Sequence, residues 1–281
     1  MLVKNEQQLS ELLQFIHSND ILAYDIETTG KNPRKHQIIG FGISNRTQGL
    51  YVPVAVFANN ELLPYGLSPS LAKIALKALL AKKLIMHNAS FDCTFTLNTL
   101  GVDLLPALYA DTMLLKHTCD EEFPFGLKEI ATKLFGADSK IEKEEMKASI
   151  KANGGSPTEY YKASLGAISK YCVQDCLLTQ KIYQYYLPKL KKDALEAFFF
   201  NDEVMPTYKE VVIPMERDGV AVNVKLLQQA STDIKNTLKE LQYKIQIAIA
   251  PHLDLFTDWF LKKEYPMNGG RIAKLMKEGL S

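Results

Sequence analysis

Four carboxylates and one phenol are spaced as a reactive site would space them. Asp25 and Glu27 sit two apart at the end of the apolar run DILAYDIE. Side chains alternate across a strand, so Ile21, Ala23, Asp25 and Glu27 share one face, and that face ends in two acids. Such a pair is costly unless a positive group sits beside it or the strand simply exits into solvent. Asp92 closes the run Asn88-Ala89-Ser90-Phe91-Asp92, after a short apolar segment at 84–86. Asn88 or Ser90 can cap a following helix, and Asp92 then lies in its first turn, where the helix dipole favours a carboxylate. Tyr171 and Asp175 are four apart in a long helical stretch and face the same way. Alone, that spacing also describes a boundary tyrosine beside a solvated aspartate.

The elements that must position these groups follow from periodicity and turn chemistry. Strands are predicted at 21–26, 38–44 and 50–54, the last two joined by the hairpin-like Asn45-Arg46-Thr47-Gln48-Gly49. Ser68-Pro69-Ser70 starts a helix whose apolar positions are Leu71, Ile74, Ala75, Ala78 and Leu79. A buried strand at 84–86 leads to a helix beginning near Ser90. Further helices are predicted at 111–117 and 126–135, and a long one from 164 to 186 that stops before Pro188. The polar stretch 137–163, with Asn153-Gly154-Gly155-Ser156-Pro157, reads as a mobile or irregular insertion. Three strands followed by alternating strand and helix predict an α/β domain with a mixed sheet.

Composition changes near residue 205, which divides the chain into 1–205 and a mainly helical extension, 206–281. After Asn223, Leu227, Ile234, Leu238, Leu241, Ile245 and Ala248 form an apolar stripe of coiled-coil type. A short helical candidate follows at 271–277.

Composition excludes several classes. Lys and Arg number 33 and Asp and Glu 32, so any attraction to nucleic acid has to be local. Hydrophobic residues make up 47%, as in a packed globular protein. No run approaches the ~20 apolar residues of a membrane span. The opening MLVKNEQQLSELLQ turns acidic and amide-rich at once, so no secretory leader is expected. Cys93, Cys119, Cys172 and Cys176 lack the paired spacing of a zinc site. Cys172 and Cys176 share a helix face and read as reduced, partly buried thiols. Dinucleotide, P-loop and H-E-x-x-H signatures are missing. His87 reads as a strand-end histidine and Phe91 as core. Lys189, Lys191 and Lys192 read as a solvated helix end.

Taken together and in this order, D-x-E, N-x-x-F-D and Y-x-x-x-D resemble the DEDD exonuclease superfamily, in its tyrosine branch. More closely, the chain is similar to the 3′–5′ proofreading domain of family A DNA polymerases. Ala110-Asp111-Thr112-Met113-Leu114 resembles that family's D-T-M helix start, and the helix at 127–134 matches the one that follows. Lys170 stands where histidine-type relatives carry their histidine. The segment from Val212 to Val220 resembles the join into the polymerase part. The resemblance covers about residues 15–250 and weakens at 137–163.

The resemblance implies a ribonuclease-H-like mixed sheet flanked by helices. It also implies a site of Asp25, Glu27, Asp92 and Asp175 holding two divalent metals, Mg2+ or Mn2+. Four carboxylates in one cleft would raise one another's pKa, and divalent cations would cancel that charge. By the same resemblance Asp25 bridges the metals, Tyr171 orients the attacking water, and Thr28 and Asn88 contact the substrate strand. The expected activity is 3′–5′ hydrolysis of single-stranded or frayed DNA ends with release of 5′-mononucleotides, in proofreading. An RNA 3′–5′ exonuclease and a non-catalytic binding module on the same scaffold are the alternatives. Palm and fingers motifs are missing after residue 220, so the expected partner is a polymerase part in a second chain or in a missing remainder. The expected location is the cytoplasm of a bacterial or phage-infected cell, with no membrane contact.

Overall fold

A computed structural model describes residues 2–136 and 141–252. The chain divides into two compact units, Met1–Gly219 and Val220–Ser281. In the first unit, α1 (Glu6–His17) starts on Asn5, whose side chain accepts from the Gln8 amide, and buries Leu9, Leu12 and Ile16. Strands β1 (Ile21–Thr28), β2 (Ile38–Ser44) and β3 (Gly49–Pro53) form an antiparallel meander, followed by a small hairpin of β4 (Ala55–Ala58) and β5 (Glu61–Pro64). Next come α2 (Pro69–Leu79), β6 (Lys83–Met86), α3 (Ala89–Phe95), β7 (Leu108–Asp111), α4 (Thr112–Cys119) and α5 (Leu127–Phe135). The main sheet has the order β3-β2-β1-β6-β7, with β6 parallel to both β1 and β7. This is the ribonuclease-H-like mixed sheet that the sequence led us to expect, and a helical C-terminal region follows it.

Three corrections to the sequence reading concern helices. Within 137–163, α6 (Ile141–Ala152) is a regular helix that buries Met146 and Ile150, four residues apart on one face. Residues 137–140 lie outside the described residues. The long helix α7 (Leu165–Lys192) does not stop before Pro188 but carries it inside. The turn beyond the proline is held by buried Leu190, while Lys189, Lys191 and Lys192 suit the negative helix end. Third, Asp111 is the last residue of β7 and caps α4, rather than beginning the helix itself.

Helix α7 lies across β1, β2 and β3, and the glycines of β2 explain how closely. Gly42 pairs with Asp25 across the ladder, and a methyl group there would meet the Cys176 and Cys172 sulfurs at 2.8 and 2.9 Å. Gly40, opposite Glu27, gives its space to the Tyr51 ring. The main core gathers Leu22, Ile85, Leu108 and Ile182, each fully or almost fully buried and worth about 1.5–3 kcal/mol. A smaller cluster of Ile39, Tyr51, Met146, Ile150, Tyr171 and Cys172 sits beneath α6 and α7. Short helical segments, among them α8 (Val204–Thr207) and α9 (Ile213–Asp218), extend the first unit past residue 205. They bury Phe199, Met205, Tyr208 and Ile213 in the main core.

In the second unit, α10 (Val224–Ile249) is capped by the Asn223 side chain and buries none of its residues. Leu227, Ile234, Leu238, Leu241 and Ile245 are all exposed. The candidate at 271–277 lies outside the described residues. No described helix is long and apolar enough to cross a membrane.

Candidate active site

Three elements deliver the acids. Asp25 and Glu27 project from the end of β1 on the face covered by α7, where the Cys172 thiol donates to Asp25 Oδ2 at 3.4 Å. Parallel pairing of β6 with β1 brings the start of α3 beside that strand end, and Asp92 lies in its first turn. Tyr171 and Asp175 point from the first half of α7. Glu27, Asp92 and Asp175 are buried, and Asp25 is half-buried.

The acids act on one another. Burial pushes the Asp25 carboxyl well above the ordinary range, and Asp175 pushes it further. Glu27 is raised by burial, then by Asp25 and Asp175, and Asp92 by burial, then by Asp25 and Asp111. The Ile26 backbone amide offsets part of this for both Asp25 and Asp92. Burial, Asp175 and Glu27 also raise the Tyr171 phenol, which stays protonated at neutral pH.

Two supports hold the acids in register. Asp111 Oδ2 accepts from the Ala89 amide at 2.6 Å, and its Oδ1 accepts from the Met113 amide at 2.8 Å. One buried carboxylate thus ties the start of α3, and with it Asp92, to the cap of α4. Tyr208 Oη accepts from the Ser90 amide at 2.9 Å, bracing the same turn from the far end of the unit.

Asn88 sits at the cap position but has left-handed backbone (φ 67°) and no side-chain cap bond, so its predicted capping role is not realised. Its exposed side chain stands at the mouth of the turn before α3. Thr28, next to Glu27, donates to the Gly30 carbonyl at 2.8 Å. His87 is a satisfied strand-end residue, bonded to Thr112 Oγ1 and the Phe125 carbonyl, with its pKa lowered by burial. Phe91 packs on Phe95.

Sequence reasoning missed Lys128. It lies in the first turn of α5, is 4% exposed, and pairs its ammonium with the Asp175 carboxylate. The same ammonium lies 4.6 Å from the centre of the Tyr171 ring. The available signal was its place beside Ala131, on the rim of the apolar face formed by Leu127, Ile130 and Leu134.

The donor set fits hard divalent cations. Four ionised carboxylates, Asp25, Glu27, Asp92 and Asp175, against the Lys128 ammonium would leave three negative charges in excess. Carboxylate oxygens dominate the set. Ligand atoms of Asp25, Glu27 and Cys172 lie within 4.8 Å of one another.

A 3′–5′ exonuclease family model matches residues 1–191. The chain belongs to this 3′–5′ exonuclease family. Members of the family are phosphodiester hydrolases acting on nucleic acid, and the exonuclease part holds every acid described above. Among solved structures, the fold is similar to the polymerase domain of Pol1 from Mycobacterium smegmatis, determined with DNA primer-template and dNTP. That match has a TM-score of 0.60 at 12% identity, over 85% of this chain and 36% of the other. Escherichia coli RNase D, an exoribonuclease involved in structured RNA processing, matches with a TM-score of 0.55 at 16% identity. It covers 79% of this chain and 51% of RNase D. Trypanosoma brucei RNase D in complex with GMP gives 0.51 at 14% identity, over 66% and 56%. The chain therefore spans about half of each RNase D and about a third of the Pol1 chain. No curated protein matches the sequence.

Proposed function

We propose that the chain is a metal-dependent 3′–5′ exonuclease that removes 5′-mononucleotides from single-stranded or frayed DNA ends in proofreading. The observation that carries this is the convergence of Asp25, Glu27, Asp92 and Asp175 from β1, α3 and α7 beside the Tyr171 hydroxyl. Asp25, Glu27, Asp92 and Asp175 would hold two divalent cations, Mg2+ or Mn2+. When bound, these supply charge neutralisation and Lewis-acid activation of water and leaving group. The chain's own residues do the rest. Tyr171 keeps its proton and donates or accepts one hydrogen bond that orients the attacking water, and it does not serve as a base. Water adds to phosphorus, the bond to the 3′ oxygen breaks, and that oxygen leaves as the new terminal hydroxyl. Thr28 and Asn88, at the rim of the site, contact the terminal nucleotides.

The DNA reading is supported by the polymerase-like segment from Val212 to Val220. It is also supported by α10, whose exposed apolar stripe suits the start of a polymerase thumb. Packing that stripe against palm and fingers, in a second chain or a longer one, would bury side chains worth about 1.5–3 kcal/mol each. An exoribonuclease is the second reading, favoured by the likeness to RNase D across most of this chain. Matched DNA and RNA oligonucleotides labelled at the 5′ end, digested with Mg2+, separate the two. Stepwise shortening of DNA from its 3′ end is the expected result. Preferential shortening of RNA would overturn the substrate, and no shortening of either would overturn the enzyme.

A further inference from the structure

A lysine gains most from water, and α5 offers exposed positions at Glu129 and Lys133, after the buried one. Lys128 is nevertheless inside, and its surroundings are built to keep it there. The loop before α5 is wrapped around a second buried lysine, Lys116, whose ammonium donates to the Asp120 and Glu122 carbonyls and pairs with Asp120. His87 holds the Phe125 carbonyl at 3.0 Å. The first turn of α5 is thereby fixed over α7, and Lys128 touches Asp175 and the Tyr171 ring together. Its charge also acts on Asp25 and Glu27.

We propose that Lys128 is a tethered counter-ion of the carboxylate site. Its ammonium holds Asp175 and Tyr171 in position while divalent cations are absent, and it competes with them for Asp175. Lys128 is thus a positioning residue that tunes metal occupancy without being a ligand. This rests on the metal-site reading above. The competition has a sign that structural damage cannot mimic. A disordered site binds metal more weakly, whereas a site relieved of a fixed positive charge binds it more tightly.

The test is Mn2+ titration of metal-stripped wild type, Lys128→Met and Lys128→Arg, followed by electron paramagnetic resonance of the free ion. Thermal unfolding with and without Mn2+ accompanies it. Methionine keeps the bulk of the stem and removes the charge. Its Mn2+ affinity is expected to rise roughly tenfold, given the strength of charge–charge interactions at interior permittivity. Its melting temperature is expected to fall without metal and to recover with it. Arginine is expected to stay near wild type. Unchanged or weaker Mn2+ binding by Lys128→Met would overturn the inference. So would an arginine variant that behaves like methionine, or a methionine variant that stays unfolded in saturating Mn2+. Wild type that binds no Mn2+ would overturn the metal reading itself and this inference with it.

Discussion

Replacing Asp25 by asparagine should make the metal-free protein more stable while removing its nuclease activity. The amide keeps the shape of the carboxylate and an oxygen for the Cys172 thiol, so packing against α7 is retained. What disappears is one of four crowded negative charges. Asp25 and Glu27 bring ligand oxygens within 4.8 Å. At an effective permittivity near 20, two unit charges at that distance repel by roughly 3–4 kcal/mol. That figure is a ceiling, because either acid escapes it by holding a proton. Burial and Asp175 hold the Asp25 carboxyl above its ordinary range. Between the unfolded and folded pKa values the native state therefore binds more protons than the unfolded chain. Metal-free stability falls as pH rises through that window, and the penalty is absent below the ordinary carboxylate value of about 3.9. The advantage of Asp25→Asn must accordingly grow with pH. We expect roughly 1–3 kcal/mol at about pH 8, or ~3–10 °C in Tm, shrinking toward zero near pH 4. Thermal unfolding in chelator at several pH values measures it, with 3′–5′ digestion of a labelled strand run in Mg2+ alongside. A variant no more stable than wild type at pH ~8 would refute the crowding argument. A variant with undiminished digestion would refute the role of Asp25.

Tyr171→Phe keeps the ring beneath the Lys128 ammonium and loses only the hydroxyl. Turnover should fall ~10²-fold with little change in KM for the strand. A loss confined to KM would show that the hydroxyl binds substrate rather than orienting water. Gly42→Ala should lower stability by about 1–3 kcal/mol, because the new methyl meets two sulfurs and the Cys172 carbonyl of α7. An unchanged denaturant midpoint would mean that α7 is free to lift. Asp111→Ala strands the buried Ala89 amide and uncaps α4, for an expected loss of ~1–3 kcal/mol. Its digestion rate should recover at low temperature if Asp111 only positions Asp92.

Where Asp25, Glu27 and Asp175 point was legible in the sequence because their spacing follows a simple period, whereas Asp92 was read from its place in a first helical turn. A two-residue step fixes Asp25 and Glu27 to one strand face, and a four-residue step fixes Tyr171 and Asp175 to one helix face. Lys128 was hidden for the opposite reason. A lysine on an amphipathic helix reads as solvated, and only the tertiary meeting of α5 with α7 turns it inward. Helix α6 was masked by its polar composition, although Met146 and Ile150 carried a helical step. Pro188 misled because local chemistry forbids what the burial of Leu190 sustains. Asn88 has the composition of a cap and the backbone of a left-handed turn, a distinction that residue type alone does not make.

Helix α7 carries Tyr171 and Asp175 in its first half, and what packs around them sets how the site can open. Its neighbours are four strands of the sheet and helices α4, α5 and α6, so no short stretch at 171–175 can open alone. In native-state hydrogen exchange, amides around 171–175 should therefore exchange only through the largest cooperative opening of the first unit. Heat should then extinguish activity and tertiary structure in one step, with no folded but inactive species between them.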